Sequence, residues 1–83
     1  MVVTVRLFAR LREIAGAADV PVVLPEHATV LDAWQAIAGR FSGLSAYTGS
    51  VSCAVNQEYA RMTASLNDGD EVAFLPPVSG GNC

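Results

Sequence analysis

Apolar and polar positions alternate at the start of the chain. Val3, Val5 and Leu7 fall on one side of the segment Val2 to Phe8, with Thr4 and Arg6 between them. A period of two predicts a strand with one face buried. From Phe8 the spacing becomes helical. Phe8, Leu11 and Ile14 share a face, and Gly16 supplies a left-handed stop. Val20 to Leu24 reads as a second strand. Pro21 within it has no N–H to give to a ladder, which places this strand at the edge of a sheet.

Thr29 opens the clearest helix. Its hydroxyl can cap the first turn, and Asp32, three residues on, can answer it in the manner of a capping box and complement the helix dipole. Val30, Trp34, Ile37, Ala38 and Phe41 then form one apolar stripe, and Ser42-Gly43 ends the helix. Ser45 to Ser50 reads as loop. Val51, Cys53 and Val55 alternate as a third strand, followed by a turn at Asn56-Gln57-Glu58 and a short strand with a connection over Tyr59 to Leu66. Asn67-Asp68-Gly69-Asp70 is a turn, and Val72 to Leu75 is a last strand stopped by Pro76-Pro77. The pattern predicts an α+β domain over residues 1–77, one main helix laid on one mixed sheet, and a flexible C-terminal tail at 78–83.

Composition narrows the function. Eighty-three residues make one small domain, in which a deep enclosed catalytic pocket is not expected. The chain is 52% hydrophobic and only 16% charged, which suggests a surface normally covered by a partner. A net charge of −3 and a pI near 4.7 argue against nucleic acid or an anionic membrane as a ligand. The five basic residues, Arg6, Arg10, Arg12, Arg40 and Arg61, are all arginine, so no side-chain amine is available to accept an acyl group. Two cysteines make no disulfide framework, no segment has signal-peptide or membrane-spanning character, and a cytoplasmic location is expected.

Several residues carry ordinary readings. Trp34 at helical spacing is a core residue, and Cys53 is a small buried apolar group. His27 has no Cys or His near it in sequence, so no metal site is expected there. Asp68, Asp70 and Glu71 form turns rather than a calcium loop. Arg10 and Arg12 fit either an acidic partner surface or a solvated helix face.

The tail has a more pointed chemistry. Gly80 and Gly81 carry no Cβ, so this backbone can thread a narrow channel and approach another active site closely. The segments Leu7-Phe8-Ala9-Arg10-Leu11-Arg12-Glu13, Ala54-Val55-Asn56-Gln57 and Asn67 to Gly81, the last containing Asp68-Gly69-Asp70-Glu71-Val72-Ala73-Phe74 and Pro76-Pro77-Val78-Ser79-Gly80-Gly81, resemble the MoaD/ThiS family of sulfur carriers. The resemblance runs from Val2 to Gly81 and is greatest to small subunits of molybdopterin synthase.

That resemblance implies a ubiquitin-like β-grasp fold and a carrier rather than an enzyme, with the catalytic side chains on the synthase's large subunit. Gly81 would be the residue whose carboxylate is adenylated and converted to a thiocarboxylate, which donates sulfur to the pyranopterin precursor in molybdenum cofactor biosynthesis. No cofactor would be bound by the chain itself, and ATP would be used by an E1-like adenylating enzyme. Phe8, Tyr59, Leu75 and Pro76 would form the partner-binding surface beside the tail, with Gly80 in the tail itself. From Pro76 to Gly81 the chain reaches at most ~17 Å.

Asn82 and Cys83 follow the glycine pair. Either a processing peptidase removes them, or they are an addition to the natural chain, or the chain lacks carrier activity. Three other functions share the same features: a carrier for thiamine, cysteine or a specialised metabolite, a ubiquitin-like protein modifier, and an interaction module that only docks.

Overall fold

The computed structural model describes residues 1–77. The expected tail, Gly80 and Gly81 included, lies outside the described residues. Strand β1 (Val2–Leu7) leads through Phe8 into helix α1 (Ala9–Ala15), and Gly16 ends that helix at φ 72°. Strand β2 (Asp19–Val23) returns antiparallel to β1, with Thr4 opposite Pro21. Helix α2 (Val30–Arg40) carries the complete capping box at Thr29 and Asp32. Strands β3 (Ser52–Val55), β4 (Glu58–Ala60) and β5 (Glu71–Leu75) complete the sheet.

The strand order is β2-β1-β5-β3-β4. The central pair, β1 and β5, runs parallel, and every other pair is antiparallel. β2 is an edge strand, so the ladder proton that Pro21 lacks is not needed by another strand. Parallel neighbours require a crossover, and α2 lies within the long connection between them.

One side of the sheet holds the core. Val3, Val5 and Leu7 of β1, Val20 and Val22 of β2, and Val72 and Phe74 of β5 are buried against Val30, Ala33, Trp34 and Ile37 of α2. Trp34 meets Phe74 edge to face, with centroids 5.0 Å apart. Ala38 and Phe41, expected on the same stripe, are half-buried at its margin.

Two local expectations change. The expected loop from Ser45 contains a 3₁₀ turn, Leu44–Tyr47, because Leu44 is drawn fully into the core and the chain tightens around it. The turn after β3 comprises only Asn56 and Gln57; Glu58 pairs with Val55 and already belongs to β4.

Candidate functional site

Among the described residues the other side of the sheet carries no helix, and the strand register decides what meets there. Asp19 pairs with Arg6, Arg6 with Ala73, Ala73 with Ala54, and Ala54 with Tyr59. These five residues form one row across all five strands. Ala73 and Ala54 make a floor with little side-chain volume. Larger groups stand around it, giving a shallow groove of about 260 Å³ lined by Arg6, Phe8, Ala54, Gln57, Tyr59, Glu71, Ala73 and Leu75.

Phe8 stands at the rim because it is the junction of β1 and α1, where an extended backbone turns the ring away from the core. It is 39% exposed, and Tyr59, on the short strand β4, is 84% exposed. Leu75 occupies the last position of β5, opposite Ser52, and Pro76 follows it half-buried. The groove therefore adjoins the end of β5. Phe8, Tyr59 and Leu75, which lie far apart in sequence, line one groove. Pro76 does not line it but continues directly from Leu75.

Charge surrounds this apolar centre. The Arg6 Nε donates to Asp19 Oδ1 at 3.1 Å, and its Nη1 donates to Glu71 Oε2 at 3.3 Å. Hydrogen bonds to Glu71 and then to Asp19 hold the guanidinium pKa above its ordinary value. The same guanidinium lies 5.9 Å from the centre of the Phe8 ring. Arg6 thus joins three strands and approaches the aromatic rim in a cation–π arrangement.

The other candidates fall elsewhere. Arg10 pairs with Glu13 of its own helix at 3.1 Å, a solvated ion pair. Cys53 lies on the core side, 4% exposed, with its thiol donating to the Ala60 carbonyl at 3.0 Å; burial pushes its pKa up. Trp34 is a core residue, and its indole N–H donates to Thr48 Oγ1 at 2.9 Å. Asp70 closes the turn by accepting from the Asn67 N–H at 2.8 Å, and Asp68 ties that turn to β1 by accepting from the Val2 N–H at 2.7 Å. Glu71, expected in the turn, is instead the first residue of β5. Among the described residues no helix is long and apolar enough to cross a membrane.

Sequence reasoning missed Arg6, Ala54, Gln57, Glu71 and Ala73 as groove residues. The alternation of β1 and β5 already turned Arg6, Glu71 and Ala73 away from the core. Their convergence depended on a register between distant segments.

A main helix, α2, across a five-stranded mixed sheet, with parallel central strands and an open apolar face beside the end of the last strand, defines a ubiquitin-like β-grasp domain. The ThiS family model matches residues 5–81, and the chain belongs to that family. It is 40% identical over 88 residues to the molybdopterin synthase sulfur carrier subunit of Escherichia coli K12, covering 95% of this chain and 99% of the relative. Among solved structures, SAMP1 (small archaeal modifier protein 1) from Haloferax volcanii superposes with a TM-score of 0.87 at 35% identity, covering 98% of this chain and all of that one. A complex of subunits 1 and 2 of the molybdopterin-converting factor from Helicobacter pylori contains a chain that matches with a TM-score of 0.67 at 28% identity, covering 98% and 100% of the two chains.

Proposed function

We propose that this chain is the sulfur-carrier small subunit of a molybdopterin synthase, with Gly81 as the residue that carries sulfur. The observation that carries this reading is the span of the family match, which includes the groove-lining strands and ends at Gly81.

The chemistry follows from a carboxylate being a poor electrophile. An E1-like enzyme joins the Gly81 carboxylate to the α-phosphorus of ATP, with pyrophosphate leaving. A sulfide-level donor then attacks the acyl carbon, AMP leaves, and a thiocarboxylate remains. The large subunit binds the groove through Phe8, Tyr59 and Leu75, and Pro76-Pro77 stiffens the root of the tail, so less entropy is lost on insertion. The tail brings the sulfur nucleophile to the pyranopterin precursor bound by the large subunit, which supplies the catalytic side chains. Transfer of the sulfur, with water supplying the replacement oxygen, returns the Gly81 carboxylate. Two such transfers make the dithiolene. With Asn82 and Cys83 attached, the Gly81 carbonyl is an amide, so a peptidase cut after Gly81 precedes activation. These steps suit the cytoplasm, where ATP and reduced sulfur are available.

Intact mass measures the central step. A chain ending at Gly81, treated with the activating enzyme, ATP and a sulfur donor, should gain about 16 Da from exchange of oxygen for sulfur. An unchanged mass removes the carrier reading.

A second reading, a protein modifier, is favoured by the likeness to SAMP1. The same acyl adenylate would pass to a lysine amine of a target protein. This chain has no lysine, so it would not extend itself through side chains. Recovery of the chain in isopeptide linkage to other proteins would establish that route.

A further inference from the structure

The turn between β3 and β4 has two central residues, both with left-handed backbone: Asn56 at φ 50° and Gln57 at φ 73°. A two-residue hairpin of this kind favours asparagine first and glycine second, because the second position has no compensation for a Cβ. Asn56 meets the first preference. Gln57 stands where glycine is favoured. Elsewhere this chain does use glycine for left-handed backbone, at Gly16, Gly43 and Gly69. Ala9 and His27 also have positive φ, but neither lines the groove.

Asn56 spends its side chain on the fold. Its Nδ2 donates to Asp70 Oδ1 at 3.0 Å, its Oδ1 accepts from the Glu71 N–H at 3.1 Å, and its own N–H donates to the Glu71 carbonyl at 2.8 Å. These bonds fasten the turn to the start of β5. Gln57 is thereby held at the rim of the groove, beside Ala54 and Tyr59. Its amide makes no hydrogen bond with another described residue. Backbone strain of this kind persists where the surrounding structure imposes it, and it clusters at binding sites.

We infer that Gln57 is a specificity-determining residue of the docking groove, and that its amide pairs with a backbone peptide group of the partner. The inference rests on the docking reading above. Covering the groove removes water from an amide at the edge of an apolar floor, and a desolvated amide must find partners. The Gln57 amide is neutral and offers both donors and an acceptor, which matches the N–H and C=O of an extended partner segment. Charge recognition has its own groups nearby in Arg6 and Glu71.

The test compares the 83-residue chain with Gln57→Gly and Gln57→Met, measuring affinity for the large subunit of molybdopterin synthase by titration calorimetry and stability by thermal unfolding. Gln57→Gly relieves the turn and removes the amide, so Tm should rise while affinity falls about tenfold. Gln57→Met keeps the volume and the strain but not the amide, so affinity should fall about as far with no rise in Tm. A loss of at least about threefold in both variants upholds the inference, and a smaller loss in either overturns it. Absence of binding by the unaltered chain would instead overturn the docking reading, and this inference with it.

Discussion

Arg6 and Glu71, separated by 65 positions in sequence, form a 3.3 Å ion pair across the two central parallel strands of the open sheet face. Glu71 begins the strand that ends at the tail root, and Arg6 lies beneath the aromatic rim at Phe8. The pair links the groove to β5, which ends at Leu75. It is partly exposed, so its value for folding is small and sensitive to salt. Arg6→Met should therefore shift Tm by less than about 5 °C. Affinity for the large subunit should fall more clearly, and its salt dependence should change. Thermal melts and calorimetry at two ionic strengths separate these effects; a large loss of stability with normal docking would reverse the assignment.

Leu75 is half-buried on the open face, at the last position of β5. Leu75→Asp should weaken binding to the large subunit by about 2–4 kcal/mol, since a carboxylate would face an apolar partner pocket. The cost to folding should be smaller, because the side chain lies opposite the core. Unchanged affinity, or an unfolded variant, would remove Leu75 from the interface.

Trp34 is fully buried, packs on Phe74 and satisfies its indole N–H at Thr48. Trp34→Ala should cost about 3–5 kcal/mol of stability. Thr48→Val should cost about 1 kcal/mol through the lost hydrogen bond. Urea unfolding followed by circular dichroism measures both. A cost for Thr48→Val as large as that for Trp34→Ala would contradict this ordering.

Cys53 should resist thiol reagents in the native chain and react on unfolding, because burial raises its pKa and limits access. The sign of the pH effect follows. The unfolded thiol ionises at lower pH than the folded one, so the contribution to stability is present below about pH 8.5 and is lost as pH rises towards the folded value. Cys53→Ala should flatten this alkaline slope. A slope unchanged by that substitution would assign it to other groups.

The extension beyond Gly81 should block activation without blocking docking. The Gly81 carbonyl, held in an amide, has no carboxylate to attack ATP. ATP–pyrophosphate exchange should be strong with a chain ending at Gly81 and weak with the 83-residue chain. Equal exchange by both would mean that the glycine pair does not select the reactive end.

Local chemistry determined most of the elements. Alternation through Val3, Val5 and Leu7 marked β1 and its buried face, Thr29 and Asp32 marked the start of α2, and Pro21 marked an edge strand, because each signal is complete within a few residues. The family match extends through the Gly-Gly pair, which was likewise legible as a short motif. The groove was legible only in part. Phe8, Tyr59 and Leu75 came from resemblance, while Arg6, Ala54, Gln57, Glu71 and Ala73 emerged from the fold. A period of two tells which way a side chain points and says nothing of its neighbours on the next strand. The parallel pairing of β1 with β5, and the register that aligns Arg6, Ala73, Ala54 and Tyr59, go with a shared core in which residues of β1, β2 and β5 pack against α2. That packing joins segments dozens of residues apart, so only the tertiary structure could settle it.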